Sequence, residues 1–215
     1  MSARTLERIL EHRIISIIRG VSARDLPALA GALRDGGIRC LEIAFDHSGA
    51  EDAAAVCRKI ETLSRIFGDE MLIGAGTALT TEEARMAAAA GAKFIISPNV
   101  DPAVIRAAKE AGLASVPGAM TPSEALTAFQ CGADIIKLFP ADILGPAYIR
   151  AFRGPLPHIP VIAVGGITPR NIKSFFAAGA VGAGVGGGLA NQALVDSGAY
   201  ESISDLARQY TESVK

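Results

Sequence analysis

The residue most at odds with its surroundings is Lys137. It lies in GADIIKLFPADILG, between Ile135-Ile136 and Leu138-Phe139. A short apolar run of this kind reads as a buried strand. A lysine inside it is costly unless its charge is paired, reaches solvent or is given up. If the charge is given up, the neutral amine is a nucleophile toward carbonyl carbon. An unperturbed lysine, with a pKa of about 10.4, would be almost wholly protonated at neutral pH. A second charge stands in a similar setting, Glu42 within CLEIAF. A carboxylate beside an imine-forming lysine moves protons during carbinolamine dehydration and C–C bond cleavage. The bland alternative is that Lys137 and Glu42 form a structural ion pair, and these two residues alone leave both readings open.

Two glycine clusters carry a different chemistry. Gly165-Gly166 and Gly186-Gly187-Gly188 each follow an apolar run and precede a candidate helix start. Exposed backbone N–H groups and a helix N-terminus can cradle a phosphate. Tight turns would also use glycine, but two clusters after the last two strands favour the phosphate reading. Arg19 is a candidate anion contact or a rim salt bridge, and Thr77 in GAGT offers a hydroxyl. His47 fits a loop position near the site. The other histidines, His12 and His158, do not stand at strand ends, so no metal-ligand set emerges.

These residues need a frame that brings them to one place. An alanine-rich helical stretch ending in glycine and leading into an apolar run recurs through the chain. It appears as ALRDGGIRCLEI, ARMAAAAGAKFIIS, IRAAKEAGLASVPG, ALTAFQCGADIIKLF and SFFAAGAVGAGVGG. The glycine closes a helix, and the run fits a strand buried on both faces. Asp101-Pro102, Thr121-Pro122 and Thr168-Pro169 each read as an N-cap followed by a first-turn proline. Thr121 to Glu124 also fits a capping box. Eight apolar runs begin near Ile14, Ile38, Met71, Lys93, Leu113, Asp134, Pro160 and Val181. Their spacing of roughly 20 to 33 residues is that of βα units. The expected fold is a (β/α)8 TIM barrel, with residues 1–215 forming one barrel domain behind a short N-terminal helix. An open doubly wound sheet would want a GxGxxG turn after its first strand, and IISIIRGVSARD has none.

In such a barrel chemistry gathers at the C-terminal ends of the strands. Those ends carry Arg19, Glu42, Thr77, Pro98-Asn99, Pro117-Gly118, Lys137 with Phe139, and the two glycine clusters.

Composition limits the rest. Half of the 215 residues are hydrophobic, 20% are charged and the formal net charge is -1. There is no basic block for nucleic acid and no apolar run of membrane-spanning length. The opening MSARTLERILEHR lacks the apolar segment of a signal peptide. Cys40, Cys57 and Cys131 are unpaired in spacing and read as buried thiols of a reducing cytoplasm.

The stretches IIRG, GGIRCLEI, IGAGT, FIISPN, PGAMTPSE, IIKLFPA, GPAYI and VGGITPRNI together resemble the class I aldolases of 2-keto-3-deoxy-6-phosphogluconate and its galactonate epimer. The resemblance runs from about Ile14 to the final helix. It implies Lys137 as the Schiff-base lysine and Glu42 as the general acid/base. It implies Thr77 at the pyruvate carboxylate, and Pro98 and Phe139 around the imine. It further implies Gly165, Gly166, Gly186 and Gly187 in the phosphate loops, with Arg19 matching an arginine of one branch. No cofactor and no metal are implied, and the assembly expected is a homotrimer. Departures bear on substrate choice. Asp46-His47 stand where gluconate-type members carry arginine and threonine. Val164 replaces a threonine, which looks like the galactonate-type branch, and the second glycine loop lacks a serine. Activity on both epimers is the expectation. A 2-keto-4-hydroxyglutarate aldolase, or a phosphosugar isomerase or epimerase on a similar barrel, stands as the alternative.

Overall fold

The structure, a computed structural model, describes residues 2–214. Its strands are β1 (Ile14–Ile18), β2 (Cys40–Ala44), β3 (Leu72–Gly76), β4 (Phe94–Ile96), β5 (Ala114–Val116), β6 (Gly118–Ala119), β7 (Ile136–Leu138), β8 (Val161–Val164) and β9 (Gly182–Val185). All pair in parallel, in the order β5-β4-β3-β2-β1-β9-β8-β7-β6. The first and last of that order are consecutive in the chain, separated by Pro117. Proline has no N–H to give to a ladder, so one strand is split into a half that pairs with β4 and a half that pairs with β7. The eight expected runs therefore appear as nine strands, and the sheet closes on itself as a TIM barrel.

Helices α2 (Leu26–Asp35), α3 (Ala53–Phe67), α4 (Thr81–Ala89), α5 (Pro102–Glu110), α6 (Pro122–Gln130), α7 (Ala141–Arg153), α8 (Ile172–Ala177), α9 (Gln192–Asp196) and α10 (Tyr200–Glu212) follow the strands; α1 (Ser2–His12) precedes them. Glycines with positive φ end the helical stretches at Gly37, Gly91, Gly112, Gly132 and Gly179. Asp101 caps α5, and Thr121 with Glu124 forms the expected capping box on α6. Thr168-Pro169 differs from expectation. It opens a turn, and α8 begins only at Ile172. The cause is local. Asn171 accepts the Thr168 N–H through Oδ1 at 2.8 Å and donates to the Gly166 carbonyl at 2.9 Å, which holds the chain in a turn. Among the described residues no helix is long and apolar enough to cross a membrane.

Strand alternation sorts the side chains into two cores. Ile14, Ile18, Leu41, Ile43, Ile136, Leu138, Val161 and Ala163 face the helices. Ile15, Cys40, Leu72, Phe94, Ile96, Ile135, Ile162 and Val164 face the barrel axis. Ile9 of α1, flanked by Leu6 and Leu10, packs against this inner core and so closes the N-terminal end of the barrel. Of the three cysteines only Cys40 is fully buried; Cys57 on α3 and Cys131 just after α6 are half-buried against the outer core.

Candidate active site

The alternation that makes the inner core also aims Lys137 and Glu42. Both neighbours of Lys137, Ile136 and Leu138, face the helices, so Lys137 faces the axis. Leu41 and Ile43 flank Glu42 in the same way. Register places Glu42 beside Ile17 on one side and Gly74 on the other. Lys137 lies between Gly118 and Ile162. A Cβ at residue 76 would overlap the Glu42 carboxylate. The second glycine of GAGT thus makes room for the acid.

Lys137 is 7% exposed and Glu42 1%. Burial pushes the Lys137 ammonium below its usual range; Glu42 pulls it back up and Arg19 pushes it further down. Burial raises the Glu42 carboxyl, against the opposing pull of Lys137 and Arg19. Among the described residues the two form no direct ion pair. Glu42 Oε2 is buried without a hydrogen-bond partner. Leaving such an atom unsatisfied costs about 1–3 kcal/mol, and more for a charged group. A structural ion pair would have satisfied it. The geometry instead keeps an amine and a carboxyl desolvated, unpaired and facing one space, as functional sites do. The Lys137 Nζ lies 5.0 Å from the centroid of the Phe139 ring, which covers it.

That space is a cavity of about 510 Å³ at the C-terminal ends of the strands. The ten residues that the resemblance assigns to the site all line it: Arg19, Glu42, Thr77, Pro98, Lys137, Phe139, Gly165, Gly166, Gly186 and Gly187, whereas Asn99, Pro117, Gly118 and His47 do not. Arg19 Nη2 donates to Thr77 Oγ1 at 2.7 Å. Thr77 has φ of 54°, a rare value for a residue with a Cβ. His47 Nε2 lies 2.8 Å from the Thr77 carbonyl. The carbonyl can only accept, so this nitrogen carries the proton. Arg19 enters no ion pair among the described residues, so the rim salt bridge is not formed. Asp46 does not line this cavity. Its carboxylate accepts the Ser48 hydroxyl and the N–H groups of Glu51, Ser48 and Ala50, which hold it down at about 2.

The two glycine loops differ. Gly165 and Gly166 both have positive φ, 106° and 63°, and a Cβ at Gly166 would strike Asp142. Gly186 and Gly187 have neither constraint; a Cβ there would meet nothing within 4 Å. The helices beyond the loops, α8 and α9, are short and start several residues downstream, so the backbone of the loops, more than a helix terminus, faces the cavity. Val164, singled out in the sequence for substrate choice, lines it too, and so do residues not foreseen, chiefly Ile17, Gly184 and Tyr210. Strand alternation could have placed Ile17 and Gly184. Nothing in the sequence near Tyr210 marks it.

A barrel with a buried amine, a buried carboxyl and a glycine-lined cradle in one cavity defines a class, the barrel enzymes that work on carbonyl compounds through their strand ends. Comparison narrows the class. The family model for KDPG and KHG aldolase matches residues 6–206, and the chain belongs to that family; it is an aldolase, a lyase. It is 35% identical over 203 residues to the 2-dehydro-3-deoxy-6-phosphogalactonate aldolase of Escherichia coli strain K12, covering 94% of this chain and 96% of that one. A probable 2-dehydro-3-deoxy-6-phosphogalactonate aldolase of Rhizobium meliloti strain 1021 is 38% identical over 181 residues, 84% and 82% of the two chains. The KDPG aldolase of Legionella pneumophila, solved with pyruvate captured at low pH as a covalent carbinolamine intermediate, superposes with a TM-score of 0.84. Its identity is 26%, over 94% of this chain and 96% of that one.

Proposed function

We propose that the protein cleaves a 2-keto-3-deoxy-6-phospho sugar acid reversibly to pyruvate and glyceraldehyde 3-phosphate through a Schiff base on Lys137. The observation that carries this reading is the pair of desolvated, unpaired groups facing one cavity, an amine whose charged form is disfavoured and a carboxyl whose proton is held. The neutral Lys137 amine attacks the C2 keto carbon and forms a carbinolamine. Loss of water, with Glu42 supplying the proton, leaves a protonated imine. Glu42, now a carboxylate, accepts the proton of the C4 hydroxyl. The C3–C4 bond breaks, its electron pair enters the imine as an enamine, and the aldehyde departs. Protonation at C3 by Glu42 and hydrolysis release pyruvate and restore the lysine. A carboxyl with a raised pKa suits both halves of this shuttle. The imine is the electron sink, so the step needs no Lewis acid.

The other residues take roles along the substrate. Thr77, held by Arg19, faces the pyruvyl carboxylate. Pro98 and Phe139 wall the imine. Gly165, Gly166, Gly186 and Gly187 give backbone N–H groups to the phosphate. The relative that holds pyruvate as a carbinolamine supports the covalent step. Both epimers are substrates, in keeping with relatives named for either: 35% identity to the galactonate enzyme above, and 32% to a 2-dehydro-3-deoxy-phosphogluconate aldolase of Treponema pallidum strain Nichols. The pyruvyl chemistry is identical for 2-keto-4-hydroxyglutarate, which the family description favours as a second substrate.

The working form is a cytoplasmic homotrimer of residues 1–215, one barrel per chain. Ile143 is 75% exposed and Met120 47%, large apolar side chains that an interface would cover. A 35% identical chain was used in a cage built by fusing symmetric oligomeric domains. The central test is borohydride reduction with pyruvate, which should fix a covalent adduct on Lys137, together with pyruvate release measured from each epimer. An adduct on a different lysine would sink the assignment.

A further inference from the structure

The three glycines after β9 do not share one reason for being glycine. Gly186 and Gly187 face open space, whereas a Cβ at Gly188 would lie 2.6 Å from the Tyr210 hydroxyl. Gly188 lacks a positive φ, so its backbone does not demand glycine. What occupies the space is a side chain from α10, near the end of the described chain. Tyr210 is 2% exposed, and its hydroxyl lies 2.9 Å from the Ile167 carbonyl, next to Gly165-Gly166 in the other loop. It also lines the cavity. One phenol therefore touches both glycine loops at once.

From this geometry we infer that Tyr210 is a positioning residue for phosphate recognition, tying the β8 loop to the β9 loop so that their N–H groups converge on one anion. The inference rests on the proposed phosphate role of those loops. The carbonyl of Ile167 can only accept, so the single phenol proton is committed to it. The hydroxyl then has lone pairs and no proton to offer, and does not itself donate to phosphate. It acts through the loop. The second loop is bare of side-chain donors at Gly186, Gly187 and Gly188. Its affinity depends on where the backbone is held, which makes a fixed anchor matter more. A buried phenol that merely filled the core would not require its oxygen in the space that a Cβ at residue 188 would take.

The test compares 2-keto-3-deoxy-6-phosphogluconate with unphosphorylated 2-keto-3-deoxygluconate. Tyr210→Phe keeps the ring and removes the hydroxyl. It should lower kcat/KM for the phosphorylated substrate about 3- to 10-fold more than for the unphosphorylated one, the scale of one hydrogen bond, with the change in KM. Gly188→Ala displaces the same hydroxyl and should show the same selective loss. In a Tyr210→Phe background Gly188→Ala should cost less than it does alone, because both act on one contact. Equal losses on the two substrates, or strictly additive losses, would overturn the inference and leave Tyr210 as core. Wild-type protein that does not prefer the phosphorylated substrate would overturn the loop reading and this inference with it. A preserved preference that Tyr210→Phe does not disturb would overturn the inference alone.

Discussion

At one end of the cavity, around Lys137 and Glu42, the groups assigned to the proposed reaction are side chains on strands; at the other, around Gly165-Gly166 and Gly186-Gly187, they are backbone on loops. The first end is rigid because each strand has two paired neighbours and an apolar core on both faces. It bears two buried ionisable groups whose charged forms burial disfavours, and a hydrocarbon in either place would cost less. The second end has no charged side chain among the loop residues lining it, with Asp142 packed behind Gly166 and outside the cavity lining, and it depends on φ values, close approach and anchors from elsewhere. Covalent chemistry needs a specific atom at a specific protonation state, which a strand position can hold. Phosphate recognition needs several donors converging on one point, which a loop supplies if something fixes the loop.

The contrast predicts that damage at the two ends will look different. Lys137→Ala should remove the nucleophile altogether, so that both turnover and borohydride trapping with pyruvate vanish while the barrel still folds. Trapping that survives would mean that another amine does the work.

Glu42→Gln should come next, lowering kcat by roughly 10²-fold or more because the amide cannot accept a proton. Near-full turnover would make Glu42 structural. The same variant carries a stability signature. Glu42 holds its proton more tightly in the folded chain than in the unfolded one, so the folded state binds more protons as pH rises through the ordinary glutamate value of about 4.3. Stability must then fall with rising pH through that window. Chemical denaturation across pH should show this fall in the wild type and a shallower one in Glu42→Gln.

At the backbone end, Gly166→Val should leave imine formation with pyruvate largely in place and raise KM for the phosphorylated substrate on the order of tenfold or more, since charge-assisted hydrogen bonds are lost. Two causes act together: φ of 63° disfavours a branched side chain, and its Cβ would strike Asp142. Parallel loss of pyruvate trapping would show that the strain had spread into the barrel and that the two ends are less separable than their construction implies.

The two ends were also unequally legible before any fold was known. Lys137 and Glu42 stand out because charge inside a short apolar run has few explanations, and period-two alternation then aims them inward. The barrel was legible for the same reason, since each helix-ending glycine and β-branched run is a local signal. Contacts between distant segments left no such trace. That Gly76 clears space for Glu42 depends on the register of β2 against β3. Tyr210 reaches Ile167 across 43 positions of sequence. The split at Pro117 needed both neighbours of that strand to be known, and Thr168-Pro169 reads as a helix start until Asn171 is seen to bind back on Gly166.

Val164 sits where the two ends meet, and the smallest predicted effect falls there. It is 4% exposed, faces the barrel axis and lies in register with Gly184. It immediately precedes Gly165-Gly166, so its side chain borders the path from the imine to the phosphate. Threonine has nearly the shape of valine, but it exchanges a methyl for a hydroxyl that must find a partner when buried. In the absence of substrate Val164→Thr should therefore be mildly destabilising. With substrate bound, the added hydroxyl should find a partner on one epimer and not on the other. The kcat/KM ratio should shift toward the gluconate epimer by about 1 kcal/mol, or roughly fivefold, the scale of a neutral hydrogen bond. Measuring both epimers with the same enzyme preparation cancels any loss of folded protein. An unchanged ratio would remove Val164 from the determinants of epimer choice and move attention to Arg19, whose guanidinium borders the same cavity from β1.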